Sequence, residues 1–338
     1  MGAMLSALIR ESFIPPATRF HASDIPDMSE KVVLVTGANA GIGKETARVL
    51  LTKNAKVYIA CRDKAKGEAA IRELKDSTGK EAILLQLNLA NLKSVKAAAE
   101  EFLSKEPLLN VLFNNAGVMN PPVEMLTDDG YDLQFGTNVV GHFYFTKLVM
   151  PRLLAAAATS SDGTARVVNT SSNGHWMGSL DYNTFRDSSI RRKKNAWLLY
   201  GQSKTGNIVF SAELARRYGG QGIVSTALNP GGIKTELSRH SSSFAQVLVN
   251  MFFHDVSYGA LTQLYAGTIA EGAKLNGKYL IPWARMGNPR ADTQDPQQGM
   301  ELWNWLEEQV KDVYLCALSI TLILYSHTSR ELSQATGL

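Results

Sequence analysis

Two side chains four positions apart, Tyr200 and Lys204, are the strongest candidates for chemistry in this sequence. On a helix, this spacing places both side chains on one face. A free phenol has a pKa of about 10, too high for ready proton exchange near neutral pH. An adjacent ammonium group lowers that pKa because it favours the phenolate. The pair therefore predicts a tyrosine that gives and takes a proton, although the same spacing is also common on plain helix surfaces.

A second candidate is the glycine-rich turn TGANAGIG at residues 36–43, which joins the first predicted strand to a helix. Glycines in such a turn let main-chain amides and the positive end of the helix approach a pyrophosphate. A P-loop is the alternative phosphate site, but it requires glycine where Ala38 stands and serine or threonine where Glu45 stands. The turn therefore indicates a bound dinucleotide.

The end of the second predicted strand bears on which dinucleotide is bound. Proteins specific for NAD place a carboxylate here on the ribose 2′-hydroxyl, whereas this chain has Cys61 followed by Arg62. A guanidinium suits a 2′-phosphate. Asp63 follows directly and could take the acidic role instead. We therefore expect NADP(H), with NAD(H) as the alternative.

The elements that position these residues follow from an alternation of short β-branched runs with amphipathic segments. The predicted strands are residues 31–36, 56–60, 82–87, 111–114, 166–170, 223–228 and 278–281. The predicted helices include residues 44–51, 64–74, 92–102, 133–154 and 203–217. Strands joined by helices are parallel, with right-handed crossovers. The expected fold class is α/β, a single Rossmann-type doubly wound sheet of about seven strands flanked by helices, with ligands at the carboxyl ends of the strands.

The composition is that of one large globular domain. Hydrophobic residues make up 45% and charged residues 20% of the chain, and the net charge of +4 is spread among nearly equal numbers of basic and acidic residues. Nucleic acid is therefore not an expected partner. The only dense basic run, residues 191–194, is interpreted as a solvated loop.

Neither the cysteines nor the histidines have metal-ligand spacing. Cys61 and Cys316 lie far apart, which favours a reducing, cytoplasmic compartment. The six histidines include no His-Glu-x-x-His pattern, and we expect no metal.

The turn at 36–43 and the sequence Asn-Asn-Ala-Gly at 114–117 resemble the short-chain dehydrogenase/reductase family. Residues 37–46 and 58–63 are most similar to its retinol dehydrogenase and WW-domain oxidoreductase branch, especially to fungal members. The resemblance extends over roughly residues 20–311. It implies hydride transfer between a nicotinamide cofactor and an alcohol or carbonyl substrate.

The resemblance also implies catalytic roles. Tyr200 would act as acid and base, and Lys204 would lower its pKa and bind the cofactor ribose. Ser172, after the fifth strand, would orient the substrate oxygen, with the adjoining Ser171 as the alternative. Asn138 matches the family asparagine whose helix irregularity helps to hold a water beside the lysine.

Cofactor contacts are implied along the whole domain. Asn88 stands where the family usually has aspartate to hold the adenine amino group, and its oxygen can still accept a hydrogen bond. The implied cofactor-binding residues are Gly37, Asn39, Gly41, Ile42, Gly43, Arg62, Asn88, Leu89, Asn115, Ala116, Gly117, Tyr200, Lys204, Pro230, Gly231, Ile233 and Thr235.

Two apolar segments predict the substrate class. One is the insertion between Ser172 and Tyr200, and the other is residues 244–253. The apolar residues of the insertion are Trp176, Met177, Leu180, Tyr182, Phe185, Trp197 and Leu198. Placed around the cleft, they would suit a bulky apolar substrate such as a terpenoid, a retinoid-like molecule or an aromatic carbonyl. The alternative is ordinary packing against the sheet.

The expected organisation is an N-terminal arm at 1–27, the catalytic domain at 28–311 and an apolar tail at 312–338. The apolar run at 313–325 is shorter than the roughly 20 residues of a membrane-spanning helix. The alternatives for the tail are a peripheral membrane anchor, a dimer or lid helix, and a non-native end of the gene model. Homo-oligomer formation stays open.

The sequence thus favours an NADP(H)-dependent oxidoreductase. Two alternatives are an NAD-preferring alcohol dehydrogenase and a catalytically idle dinucleotide sensor. An idle relative would be expected to lose Tyr200 or Lys204, and both are present.

Overall fold

A single sheet organises the chain in the computed structural model, which describes residues 11–12, 14–234 and 253–311. Its eight strands lie in the order β3-β2-β1-β4-β5-β6-β7-β8. They are β1 Val32–Thr36, β2 Lys56–Cys61, β3 Ile83–Gln86, β4 Val111–Asn114, β5 Ala165–Thr170, β6 Ile223–Leu228, β7 Tyr279–Ile281 and β8 Arg285–Gly287. Neighbours from β3 to β7 pair in parallel, and β8 pairs antiparallel to β7. The predicted doubly wound fold is confirmed, with β8 as an additional edge strand.

Helices cover both faces of the sheet. They are α1 Gly41–Thr52, α2 Lys64–Thr78, α3 Leu92–Lys105, α4 (Leu133–Phe135, a π-helical turn Gly136–Val140, and Gly141–Thr159), α5 Ser189–Arg192, α6 Ala196–Tyr218, α7 Val256–Thr268 and a last helix, α8, over residues 296–311. One core lies between the sheet and α1, α2 and α7. The other lies between the sheet and α3, α4, α6 and α8.

The sheet reverses its winding between β1 and β4. Both strands are buried along their whole length, as is usual for central strands covered on two faces. The chain runs outward from β1 to β3 and then returns to place β4 on the other side of β1. Ligands bind at such switch points, at the carboxyl ends of the strands. The glycine-rich turn after β1 and the Asn-Asn-Ala-Gly sequence after β4 meet there.

Helix α6 begins earlier than the predicted residue 203. Asn195 accepts a hydrogen bond from the main-chain nitrogen of Trp197 at 2.8 Å and so caps a helix that starts at Ala196. The early start matters for function, because it places Tyr200 and Lys204 on consecutive turns of one buried helix.

Two features of the chain differ from expectation. Arg191 is fully buried and pairs with Asp132 at 3.2 Å, so the interpretation of the basic run as a solvated loop is wrong for this residue. Phe20 and Ile25, within the expected arm, are buried in the core. Helix α8 is also part of the core. The tail at 312–338 lies outside the described residues.

None of the helices within the described ranges is both long and apolar enough to cross a membrane.

Candidate active site

Tyr200, Lys204 and Ser172 come together at the carboxyl end of β5. Tyr200 and Lys204 are 7% and 5% exposed, and Nζ of Lys204 lies 5.7 Å from the centroid of the tyrosine ring. The hydroxyl of Ser172 hydrogen-bonds the phenol of Tyr200. Nζ of Lys204 also donates to the carbonyl oxygen of Thr170 at 3.0 Å. A phenol, a hydroxyl and an amine therefore lie close together at the carboxyl end of β5.

The two adjoining serines have different surroundings. Oγ of Ser171 is buried and donates to the main-chain oxygen of Lys204 at 2.7 Å, so it holds β5 against α6. Oγ of Ser172 accepts from the main-chain nitrogen of Gly174 at 3.1 Å and faces Tyr200. Within the described part of the chain, the hydroxyl of Ser172 contacts Tyr200, whereas that of Ser171 does not.

Burial dominates the ionisation of the pair. It lowers the pKa of Lys204 to about 8, because the ammonium group loses its hydration. It also raises the pKa of Tyr200 to about 12, and the hydrogen bond with Ser172 opposes this only in part. The expected lowering of the phenol pKa by Lys204 is therefore not seen in the protein alone, where desolvation of the phenolate is the larger effect.

Asn138 lies in the π-helical turn of α4 and joins three segments. Its side chain accepts from the nitrogen of Val118 at 2.9 Å and donates to the oxygen of Val118 at 3.0 Å and to Oγ of Ser203 at 2.9 Å. Its main-chain oxygen accepts from Nδ2 of Asn207 at 2.7 Å. A side chain of α6 therefore hydrogen-bonds the main-chain oxygen of Asn138 within the π-helical turn.

Sequence reasoning did not identify the role of His142. This buried ring lies one helical turn beyond Asn138, with Nδ1 at 3.0 Å from the main-chain oxygen of Asn138 and Nε2 at 2.9 Å from Oγ1 of Thr36. Burial lowers the pKa of His142 to about 4, so the ring is neutral. A neutral ring with its proton on Nδ1 satisfies both contacts. The sequence feature that could have indicated this role is that His142 lies four residues after Asn138 on one predicted helix.

The glycine-rich turn packs directly on the Asn-Asn-Ala-Gly sequence. Oγ1 of Thr36 accepts from the main-chain nitrogens of Asn115 and Ala116 at 3.0 and 2.9 Å. Gly37 has a φ of +68°, and a Cβ added there would lie 2.9 Å from Cα of Ala116. A Cβ at Gly43 would lie 2.6 Å from the oxygen of Gly37. A larger residue at Gly37 or Gly43 would therefore clash with the neighbouring main chain and distort this turn.

Gly117 lies between the predicted cofactor motif and the predicted catalytic side chains. A Cβ added at Gly117 would lie 3.2 Å from Oδ1 of Asn138 and 3.5 Å from Nζ of Lys204. The two motifs predicted to bind cofactor and to move a proton therefore border the same space.

Arg62 and Asp63 follow β2 at the far side of the turn. Arg62 is exposed, and no hydrogen bond or ion pair to another described residue occupies its guanidinium. Oδ1 of Asp63 accepts from the nitrogen of Lys66 at 3.0 Å and caps α2. The carboxylate is thus used in part by the helix, whereas the guanidinium faces solvent.

The remaining predicted cofactor residues lie along the same edge. Oδ1 of Asn88 accepts from the nitrogen of Ala90 at 3.1 Å, and Leu89 is buried. Ile42 and Ile233 meet at Gly259 of α7, where an added Cβ would lie 2.9 Å from Cγ1 of each. The other members placed at the carboxyl ends of β1 and β6 are Asn39, Gly41, Pro230 and Gly231. Thr235 lies outside the described residues.

The apolar insertion divides into two parts. Trp197 and Met177 are 41% and 44% exposed, and the Trp197 ring lies edge-on to Tyr200 at 6.2 Å. Phe185 instead is buried, stacks on Phe135 at 3.7 Å and meets Trp305 of α8 at 4.9 Å. Only the part beside Tyr200 is therefore placed to meet a substrate. Of the other segment, 244–252 lies outside the described residues.

Comparison with known proteins agrees with this geometry. The family model described as short chain dehydrogenase matches residues 31–185. A short-chain dehydrogenase/reductase of Armillaria gallica is 56% identical over 306 residues, covering 90% of this chain and 98% of the relative. Human retinol dehydrogenase 12 is 40% identical over 279 residues, covering 81% of this chain and 84% of that protein.

A solved structure of an uncharacterised protein from Mycobacterium paratuberculosis has a TM-score of 0.70 and 31% identity, covering 87% of this chain and 98% of its own. The fold, the arrangement of the motifs and these relatives lead to one conclusion. The chain is an oxidoreductase that belongs to the short-chain dehydrogenase/reductase family, with retinol dehydrogenases among its relatives.

Proposed function

We propose that this protein transfers a hydride between NADP(H) and an alcohol or carbonyl carbon of a bulky apolar substrate. The observation that carries the proposal is the convergence of Tyr200, Ser172 and Lys204 at the carboxyl end of β5, with Gly117 of the predicted cofactor motif next to Lys204. This arrangement provides a proton donor and acceptor beside the place where a nicotinamide ring would lie.

Each side chain has a distinct task at the substrate oxygen. Tyr200 gives a proton to that oxygen in reduction and takes one in oxidation. Ser172 hydrogen-bonds the same oxygen and keeps it near the phenol. Lys204 brings a positive charge next to the tyrosine ring and can bind the ribose. When bound, the nicotinamide supplies or accepts the hydride.

The residues present fit a phosphorylated dinucleotide. Gly37 and Gly43 allow the turn to pack closely on the Asn-Asn-Ala-Gly sequence and on itself, and a tight glycine turn of this kind can present main-chain amides to a pyrophosphate. The guanidinium of Arg62, which has no partner among the described residues, can pair with a 2′-phosphate, whereas the Asp63 carboxylate already caps α2. These two observations favour NADP(H) over NAD(H).

The substrate class is proposed from the surface beside Tyr200. Met177, Trp197 and Leu198 expose 41% to 46% of their surface, although each is apolar. Apolar side chains around a few polar groups are typical of a small-molecule cleft. A terpenoid, a retinoid-like or an aromatic carbonyl would cover them.

The test is a panel of apolar aldehydes, ketones and alcohols with each cofactor, measured by nicotinamide absorbance. We expect turnover with NADP(H), and Tyr200→Phe should reduce it by about 10²- to 10⁴-fold, because the transferable proton is lost. Cofactor affinity of this variant, measured by titration, should be unchanged. More than a tenth of the wild-type rate in Tyr200→Phe would exclude the tyrosine as acid and base, and a blank panel would favour the dinucleotide sensor.

A further inference from the structure

The catalytic serine begins a tight turn whose geometry depends on His175. A 3₁₀ turn at Asn173–Met177 follows Ser172. The carbonyl oxygen of Ser172 accepts from Nδ1 of His175 at 2.7 Å and lies 3.2 Å from the main-chain nitrogen of the same residue. The His175 ring is fully buried, so these bonds are shielded from water. The histidine therefore fixes the backbone that presents the serine hydroxyl.

The histidine is held in turn by Arg290, from the segment after β8. The main-chain nitrogen of Arg290 donates to Nε2 of His175 at 3.3 Å. Nδ1 faces a carbonyl oxygen and Nε2 faces an N–H group, so both contacts require a neutral ring with its proton on Nδ1. Burial lowers the pKa of His175 to about 4, which keeps the ring neutral.

The guanidinium of Arg290 then binds the middle of the turn and the residue that follows it. Nη1 donates to the oxygens of His175 at 2.6 Å and Gly178 at 3.2 Å. Asp292 holds the guanidinium through Nε at 2.6 Å and Nη2 at 2.9 Å. The arginine side chain is only 19% exposed. A forked, charge-assisted group of this kind fixes direction as well as distance.

The same group reaches the catalytic helix. Oγ1 of Thr205, next to Lys204, donates to the oxygen of Gly178 at 2.6 Å and accepts from Nη2 of Arg290 at 3.4 Å. The turn also lies directly on α6, because a Cβ at Gly178 would lie 2.5 Å from the nitrogen of Gln202. Any displacement of the turn would thus move Ser172 relative to Tyr200.

We propose that Arg290 is a positioning residue that sets the location of Ser172 relative to Tyr200. It acts through His175 and the oxygens of the turn. Its described hydrogen bonds are to His175, Gly178, Thr205 and Asp292, and none is to the predicted cofactor motifs, so its loss should leave the cofactor edge of the sheet intact. Its effect on turnover rests on the proposed function, whereas its effect on the turn does not.

The first measurement needs no substrate. Hydrogen–deuterium exchange of residues 171–180 is compared between the wild type, Arg290→Ala and Arg290→Lys. Arg216→Ala is the matched control, because it removes an arginine–carboxylate pair with Glu213 near the far end of α6. We expect faster exchange in both Arg290 variants, since lysine lacks the fork, and wild-type exchange in the control. Unchanged exchange in Arg290→Ala would overturn the proposal.

The second measurement separates positioning from stability. In folded Arg290→Ala, kcat should fall by about 10- to 100-fold, because a displacement of about 1 Å can have that effect. The Kd for NADPH should be unchanged, and guanidinium ion added to the variant should restore part of kcat. A lower melting temperature with wild-type kcat would make Arg290 merely structural. If the proposed oxidoreductase function is wrong, the wild-type protein will show no turnover. The hydrogen–deuterium exchange result would still test the effect of Arg290 on the turn.

Discussion

At the scale of single residues, Arg62 is the one expected to distinguish NADP from NAD, because the two cofactors differ by one phosphate. The exposed guanidinium has no described partner that would have to be displaced. A hydrogen bond to a charged group contributes about 1.5–3 kcal/mol. We therefore expect Arg62→Ala to weaken NADPH binding by about 10- to 150-fold and NADH binding much less, as measured by fluorescence titration.

Arg72→Ala is the control for this substitution. It removes the same charge from an exposed position on α2. Both affinities should then stay close to wild type. If Arg62→Ala weakens the binding of NADPH and NADH equally, the arginine contributes only general electrostatic attraction and does not bind the 2′-phosphate.

Residues close in sequence were predictable, and residues joined only by the fold were not. Tyr200 and Lys204 are visible from a spacing of four on one helix. Arg290 is 115 positions from His175, so no local pattern could connect them. The burial of Arg191 was also hidden, because it depends on Asp132 across the fold.

At the level of secondary-structure elements, α7 contacts the two loops that are proposed to bind the cofactor. Ile42 from the turn after β1 and Ile233 from the loop after β6 both press on Gly259. An alanine there would wedge them apart, and overpacking of this kind costs about 1–3 kcal/mol. We expect Gly259→Ala to raise the Kd for NADPH and for NADH by a similar factor of about ten, measured by titration.

Gly220→Ala provides the comparison, because a Cβ at that position would meet nothing within 4 Å. Its affinities should match those of the wild type. Unchanged cofactor binding in Gly259→Ala would show that the two loops adjust independently.

The predictability of the elements follows their length and burial. The central strands β4 and β6 have the predicted boundaries, because short, fully buried runs rich in apolar and β-branched residues between turns allow little else. Strand β8 was missed, since it has three residues and an exposed Met286. The start of α6 was missed because the capping residue Asn195 precedes a stretch with no clear apolar period.

For the molecule as a whole, α8 should decide whether the domain folds. Its buried residues are Leu302, Trp303, Leu306 and Val310. At about 1.5–3 kcal/mol for each side chain, they contribute roughly 6–12 kcal/mol, which is comparable to the total stability of a typical domain. Truncation after Lys311 should leave cooperative melting and activity, whereas truncation after Asp295 should abolish both.

A cooperative thermal transition in the shorter chain would place α8 outside the folding unit. Failure of the longer chain to melt cooperatively would instead assign residues beyond 311 to the core and move the expected domain boundary.

The stability of the whole molecule should also fall in mild acid. The pKa values of His142 and His175 are lowered from 6.5 to about 4 by burial. Between these values the unfolded chain binds protons that the folded chain does not, so stability decreases as pH falls. From pH 6.5 to about pH 4.5, each histidine should account for a loss of about 2 kcal/mol in the free energy of unfolding.

Urea unfolding of His142→Gln and His175→Gln measures this contribution. Each variant should lose about 2 kcal/mol less than the wild type over that pH interval. His21→Gln, at an exposed position, should retain the wild-type slope. If the unfolding free energy of the wild type and of all three variants changes equally with pH, the two buried rings do not remain neutral on folding.

The contact between Phe185 and Trp305 bears on how the substrate range of such proteins can be altered. Exchange of the segment between Ser172 and Tyr200 with that of a relative is the obvious route to a chimera with new selectivity. Tyr182 and Phe185 of that segment, however, pack against Trp305 of α8. Recombination should therefore succeed when residues 296–311 are transferred together with the segment, and should give insoluble protein when the segment is transferred alone.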